Sequence, residues 1–361
     1  MHTMQSTLLV GPADWDPAAL PRDEFAGHLD AFWGACDPAI AGAIVFGSPM
    51  HHAELAYLTH FTPKLEPGIA LIPRVGAPRL MVGGGANMLG AAKPLTWIEN
   101  LLPLRDVGAT VARWRDEMNA GALVLINGDA MPFGMRRQIE QALGAPPADA
   151  TAVVASAMRR KSARELALVR AACASVDAAL AAMRAAQQAG KGMTETVLAG
   201  EGAAYGRGAQ DVRVLFGRDE ALRPFTVRDD AAADPLKVYL AVRHDGYWAE
   251  RFAVLGRSGS AGIEPAQALL REAVARMRPG TPLRDAVQVL AGGISQRCFG
   301  HRIGLALDEG GDLSVASDAS FAVGEVYSVQ AWSNAASRFA AVSAMVVITA
   351  EGHEVLSGGW Q

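Results

Sequence analysis

The feature that most limits how this chain can fold is the run Ala163–Gln188. It is rich in Ala, Leu, Arg and Glu, places its apolar residues at helical spacing, and meets no Gly or Pro until Gly190. Such a run predicts one long helix with an apolar face that needs a broad surface to cover. A second helix is expected from Thr194, after Lys191-Gly192-Met193, and a third over 265–277, ended by Arg278-Pro279-Gly280. Extended, β-branched stretches lie between and after them, at 212–216, 237–242, 247–255, 326–329 and 344–349. Helices flanking a strongly curved antiparallel sheet, an α+β arrangement, follow from that order.

The first part of the chain has a different rhythm. Short apolar runs at 43–46, 68–72 and 80–82 are each stopped by Gly or Pro, and 135–143 reads as an amphipathic helix. This predicts a smaller α/β domain. Gly144-Ala145-Pro146-Pro147-Ala148-Asp149 has the composition of a linker, so the expected division is 1–150 and 151–361.

Composition bounds the partners. Of 361 residues, 50% are hydrophobic and 19% charged, enough to bury a large core. Thirty-three basic against 37 acidic residues leave a net charge of -4, which favours neither a nucleic-acid backbone nor an anionic membrane. A small molecule or short peptide is the expected ligand. The apolar run at 122–126 is broken by Asn127-Gly128-Asp129, too short to cross a bilayer. Cys36, Cys173 and Cys298 have no ligand-type spacing, and the start Met1-His2-Thr3-Met4-Gln5 has no secretion-signal pattern; a reducing, cytoplasmic setting is expected.

Several short blocks, in a fixed order, carry a resemblance. Met158-Arg159-Arg160-Lys161-Ser162-Ala163-Arg164-Glu165 looks like an Arg-x-x-Lys-x-x-x-Glu helix opening, and Arg278-Pro279-Gly280-Thr281 like a recurrent Arg-Pro-Gly turn. Gly300-His301-Arg302-Ile303-Gly304-Leu305 resembles Gly-His-Gly-Ile-Gly-Leu, Val347-Ile348-Thr349-Ala350-Glu351-Gly352 a closing strand and turn, and Tyr57-Leu58-Thr59-His60-Phe61 the sequence Tyr-Leu-Thr-Gly-Phe. Together they resemble the creatinase, prolidase and aminopeptidase P family. That resemblance implies a C-terminal pita-bread domain behind a creatinase-like N-terminal domain, and a homodimer in which His60, Lys64 and Glu66 border the partner's site. The bland alternative for those three is an exposed charged loop.

In the metal-dependent members two Asp, one His and two Glu hold two divalent ions. Carried over block by block, Tyr239 falls at the first Asp and the second Asp falls in a deletion within residues 246–252. His301 keeps the histidine, while Gln330 and Ser343 stand at the two glutamates. Such a set leaves two dications without compensating charge, so no metal and no other cofactor is expected. A mononuclear site of Glu250, His301 and Glu309 is the remaining metal alternative.

Creatinase, which resembles the peptidases but works without metal, carries Glu-Arg on the strand where this chain has Glu250-Arg251. Strand alternation turns one of the two inward, expected to be Glu250. Its carboxylate can bind a cationic group or act as a base, with a surface salt bridge as the plainer possibility. His301 is the leading acid/base candidate, its flanking glycines admitting a ligand; a structural, hydrogen-bonded histidine is the competing role. Asp308 and Glu309 stand close enough in sequence to orient it, and Glu309 joins the catalytic set. Arg223, Arg251 and Arg338 are expected to receive a carboxylate, Trp332 to form an aromatic wall, and Tyr239, Gln330 and Ser343 to line the site. The stretch around Arg223 lacks creatinase's catalytic histidine, so its reaction does not transfer directly. The activity expected is metal-independent cleavage of a C–N or amide bond. The alternatives are a degenerate metallopeptidase acting on Xaa-Pro bonds and a catalytically silent binding protein.

Overall fold

The computed structural model describes residues 14–118, 121–218, 221–224, 231–256, 260–291, 298–335 and 338–358. Contacts divide it into two compact units at Met158/Arg159. This is later than the division expected near residue 150, because the helix after Asp149 packs on the first unit.

The first unit runs α1 (Arg22–Ala35), β1 (Ile40–Gly47), α2 (Ala53–Thr59), β2 (Gly68–Pro73), β3 (Arg79–Val82), α3 (Leu89–Ala92), β4 (Asn100–Pro103), α4 (Val107–Glu117), β5 (Ala122–Ile126), α5 (Phe133–Leu143), β6 (Ala148–Asp149) and α6 (Thr151–Met158). Its six strands form one mixed sheet in the order β4-β3-β2-β1-β5-β6. The expected linker therefore contains a short strand, paired in parallel with β5. Ile44, Phe46, Ile69, Leu71, Met81 and Leu125 bury one face of the sheet under Val111 and Trp114 of α4.

The second unit opens with α7 (Ala163–Gln188) and α8 (Met193–Tyr205). α7 begins where the sequence predicts, and for a visible reason: Ser162 and Glu165 close a reciprocal capping box over its first turn. Then come β7 (Asp211–Gly217), β8 (Arg223–Pro224), β9 (Leu236–His244), β10 (Tyr247–Leu255), α9 (Ser260–Ala275), α10 (Leu283–Val287), β11 (Gly300–Arg302), β12 (Val326–Ala335), β13 (Arg338–Thr349) and β14 (Gly352–Gly358). These strands make two four-stranded antiparallel sheets, β10-β9-β7-β8 and β11-β12-β13-β14. The sheets meet where β10 runs beside β13, and the Phe252 amide donates to Ser343 Oγ at 2.7 Å across the junction.

α7 covers the outer face of β9 and β10, and α9 that of β12 and β13. By length and hydropathy α7 passes for a membrane-spanning helix, but half of its apolar window is buried against the rest of the unit, as in a core helix. Leu270, Val274, Tyr327, Val329, Val342 and Val346 form the core under α9. With both outer faces covered by helices, the inner faces of the two sheets are left to form a cleft.

Candidate functional site

Register decides what faces the cleft. Arg213 pairs with Ala241, which pairs with Glu250; Leu215 pairs with Tyr239, which pairs with Phe252. Cross-strand partners share a face and alternate residues switch faces, so Arg213, Tyr239, Glu250 and Phe252 lie on one side of the first sheet. On the second sheet His301 pairs with Ser328 and Gln330 with Ser343, and these residues meet the same space.

Glu250 is the centre of the arrangement. It is only 1% exposed, and three groups converge on its carboxylate. The Tyr239 hydroxyl donates to Oε2 at 2.6 Å, Gln330 Nε2 donates to Oε1 at 3.3 Å, and His301 Nε2 stands 3.4 Å from Oε1. Burial alone would push the Glu250 carboxyl upward. The His301 ring, with smaller contributions from the Ser328 and Tyr239 hydroxyls, outweighs that and holds it below the ordinary glutamate range.

His301 shows the reciprocal effect. Burial opposes its charge, yet the bond to Glu250 and the Glu250 charge raise its pKa to about 9. Its other ring nitrogen, Nδ1, lies 3.0 Å from the Arg302 carbonyl oxygen. Both nitrogens face acceptors, which an imidazolium satisfies and a neutral ring does not. The pair is thus a buried His⁺/Glu⁻ couple, with the His301 side chain still 16% exposed. The Tyr239 hydroxyl is held firmly protonated by burial and by the Glu250 charge. The Tyr239 ring packs on Phe252 at 4.9 Å, and Phe252 on Trp332 at 5.2 Å, giving the cleft an aromatic wall.

Other residues singled out by sequence lie elsewhere. Arg251 is on the opposite face of β10, bonded to Ser357 Oγ at 2.7 Å and to Asp177 Oδ1 of α7 at 3.3 Å. There it lines, with Arg184, a separate cavity of about 400 Å³ that shares only Phe252 with the Glu250 cluster. Arg223 pairs with Phe216, which puts it on the outer face, exposed. Asp308 is exposed and folds back on the Gly310 amide at 2.7 Å, touching the site only through its charge on His301. Glu309 is ion-paired with the buried Lys161, so it belongs to the framework under α7. The Arg338 side chain lies outside the described residues. In the first unit His60 ends α2 with its Nδ1 3.1 Å from the Leu95 oxygen, and Lys64 is half-buried in the loop beyond.

The glycines beside His301 are required by the packing of the chain on itself. A Cβ on Gly300, whose φ is +136°, would lie 1.9 Å from the Ser328 oxygen. A Cβ on Gly304 would strike Glu309 Oε1 and the Lys161 side chain, 2.4 and 2.5 Å away. They let the chain cross its own neighbours.

Sequence reading missed a second cluster on the cleft face. The guanidinium of Arg213 lies 4.6 Å from the centre of the Trp248 ring and that of Arg243 5.3 Å from it, with Asp211 beside Arg213 at 3.4 Å. Arg213 lies within the predicted strand 212–216, but Arg243 falls one residue beyond the predicted 237–242, and strand parity with pairing was needed to bring the two together.

The donor set does not fit a dinuclear metal centre. Tyr239 keeps its proton and gives it to Glu250, Ser343 Oγ accepts from a backbone amide, and Gln330 turns its NH₂ toward the same carboxylate. Among the described residues, no three His, Cys, Asp or Glu side chains of the cleft converge as ligands. Two dications would face one carboxylate.

Two helix-backed antiparallel sheets closing on a polar cleft, preceded in the chain by a mixed α/β unit, define the pita-bread fold of the prolidases and aminopeptidases P. Solved structures agree over nearly the whole chain. The prolidase from Pyrococcus horikoshii OT3 matches with a TM-score of 0.74 at 16% identity, covering 94% of this chain and 99% of that one. Dipeptidase PepE from Mycobacterium ulcerans gives 0.72 at 19%, covering 96% and 97%. The X-Pro aminopeptidase from Thermotoga maritima MSB8 gives 0.71 at 17%, covering 89% and 96%. At the level of sequence no family model matches, and no curated protein matches either.

Proposed function

We propose that the cleft binds a small peptide or amino-acid-derived substrate and breaks an amide or other C–N bond by proton transfer through Glu250 and His301, without a metal ion. The observation that carries this reading is the buried ion pair itself: a carboxylate and an imidazolium 3.4 Å apart, at the base of a cleft lined by Tyr239, Phe252 and Trp332. A peptide-like substrate is favoured over an amidino compound because the similar structures are a prolidase, a dipeptidase and an X-Pro aminopeptidase.

For an amide the balance is simple. Glu250 takes one proton from water as the hydroxide adds to the carbonyl carbon, and His301 Nε2–H gives one to the departing nitrogen as the C–N bond breaks. The proton then passes from Glu250 back to His301, leaving acid and amine. Tyr239 and Gln330 hold Glu250 in place. Glu309, paired with Lys161, supports the segment and takes no part in the proton transfer.

A second reading, a metal-dependent peptidase, is supported by the same likeness to a prolidase, a dipeptidase and an X-Pro aminopeptidase. It would have to use Glu250 and His301 as ligands, since the other family positions carry no anionic donor. The reading also takes the working unit to be a cytoplasmic homodimer, to be checked by sedimentation. The deciding experiment is hydrolysis of Xaa-Pro dipeptides with and without chelator, together with metal analysis. Chelator-insensitive turnover that falls by about 10²–10⁴-fold in Glu250→Gln and in His301→Gln is expected; stoichiometric metal and activity lost to chelator would reverse it in favour of the metallopeptidase.

A further inference from the structure

Beyond the ion pair, the cleft face holds two arginines on one tryptophan. Arg213 of β7 and Arg243 of β9 both lie over the Trp248 ring, at 4.6 and 5.3 Å. Like charges gathered on one ring repel, which favours an anion beside them. Asp211 acts on both, and its match to Arg213 is poor. Its contact with Arg213 is a long 3.4 Å, and burial pushes its carboxyl upward despite both guanidiniums.

The two arginines differ in exposure. Arg243 is 1% exposed, and burial lowers its pKa to about 10. Its guanidinium, 5.3 Å from the ring centre, steadies the platform. Arg213 is 28% exposed at the side chain, and its shielded Nε has no hydrogen-bond acceptor among the described residues. Stacking on Trp248 fixes the guanidinium plane in advance, which lessens the ordering cost of gripping a planar carboxylate.

Position links this platform to the chemistry. Arg213, Ala241 and Glu250 lie in one cross-strand row, two strand spacings or about 10 Å from end to end. The Arg213 charge also acts on Tyr239, the donor to Glu250. A dipeptide held with its amide at Glu250 and His301 spans that gap with its carboxylate.

Building on the function proposed above, we infer that Arg213, set on Trp248 and backed by Arg243, is a specificity-determining residue that binds the carboxylate of a dipeptide-sized substrate. The test separates binding from turnover. In the full-length Glu250→Gln chain, glycyl-proline and glycyl-prolinamide are titrated by calorimetry, and the titration is repeated after Arg213→Gln and Arg213→Lys.

The acid should bind at least tenfold tighter than the amide. Arg213→Gln should erase that ratio while leaving amide affinity unchanged, and Arg213→Lys should restore part of it. A general structural defect would weaken both ligands alike, so it overturns the assignment. Equal affinity for the two ligands before substitution, including no binding of either, also overturns it. If the acid/amide ratio behaves as stated but the unsubstituted chain cleaves neither compound, the carboxylate site stands and the proposed chemistry falls.

Discussion

Tyr239 reaches diagonally across the β9–β10 ladder to donate to Glu250 Oε2 at 2.6 Å, so the residue that the resemblance sets at a metal-binding aspartate holds a carboxylate in place. Removing the donor should weaken the charged form of Glu250 selectively. Because the Glu250 pKa is lowered in the fold, its contribution is present above the unfolded value and lost as pH falls through the folded one. Tyr239→Phe should lose about 2 kcal/mol at pH 7, and the deficit should shrink on acidification. Urea denaturation from pH 7 down through the acid range measures both; a deficit that stays constant until the chain unfolds would contradict the placement.

His301 titrates in the opposite sense. Its folded pKa is raised to about 9, so the stability it adds is fully present below its unfolded value and disappears as pH rises through about 9. The unsubstituted chain should lose stability over that alkaline window, and His301→Gln should flatten the loss. Denaturation midpoints from pH 6 to 10, with an imidazole titration by NMR, supply the check.

The unsuitability for a dinuclear centre can be tested by restoring ligands. Tyr239→Asp, Gln330→Glu and Ser343→Glu together bring carboxylates back to the cleft. This variant should be less stable than the parent without metal, through repulsion and desolvation, and should gain about 2.7 kcal/mol with Mn²⁺ at one hundred times its dissociation constant. The parent should show no Mn²⁺-dependent shift. A shift in the parent equal to that of the variant would refute the charge argument.

Two glycines make a paired test of packing. Gly300 has a φ of +136° and a backbone oxygen 1.9 Å from where its Cβ would stand, so Gly300→Ala should cost about 3 kcal/mol or more. Gly202 lies inside α8 with nothing within 4 Å, and Gly202→Ala should stabilise by about 0.5–1 kcal/mol. Chemical denaturation of both variants reads the difference directly; similar values would disprove the Gly300 crossing.

Much of the architecture was legible in the chain because its signals are local. The start and length of α7 follow from a helical period and a Ser-x-x-Glu cap, and most strands from β-branched runs bounded by turn residues. The motif Tyr57-Leu58-Thr59-His60-Phe61 has its own local logic. His60 takes a φ of 63° at the end of α2, a left-handed position that explains the glycine in the resembled pattern.

The sequence by itself therefore determined the order of helices and strands and the alternation of Glu250 with Arg251. Tertiary structure decided the rest. It placed Arg213 on the cleft face and Arg223 on the outer one, joined Glu309 to Lys161, and set Gly300 against Ser328. The physical reason is that alternation along a strand states which residues share a side, while only pairing with distant strands and covering helices says which side is closed and which is open. Partners such as Glu250 and His301 come from separate sheets, and no local pattern encodes the distance between them.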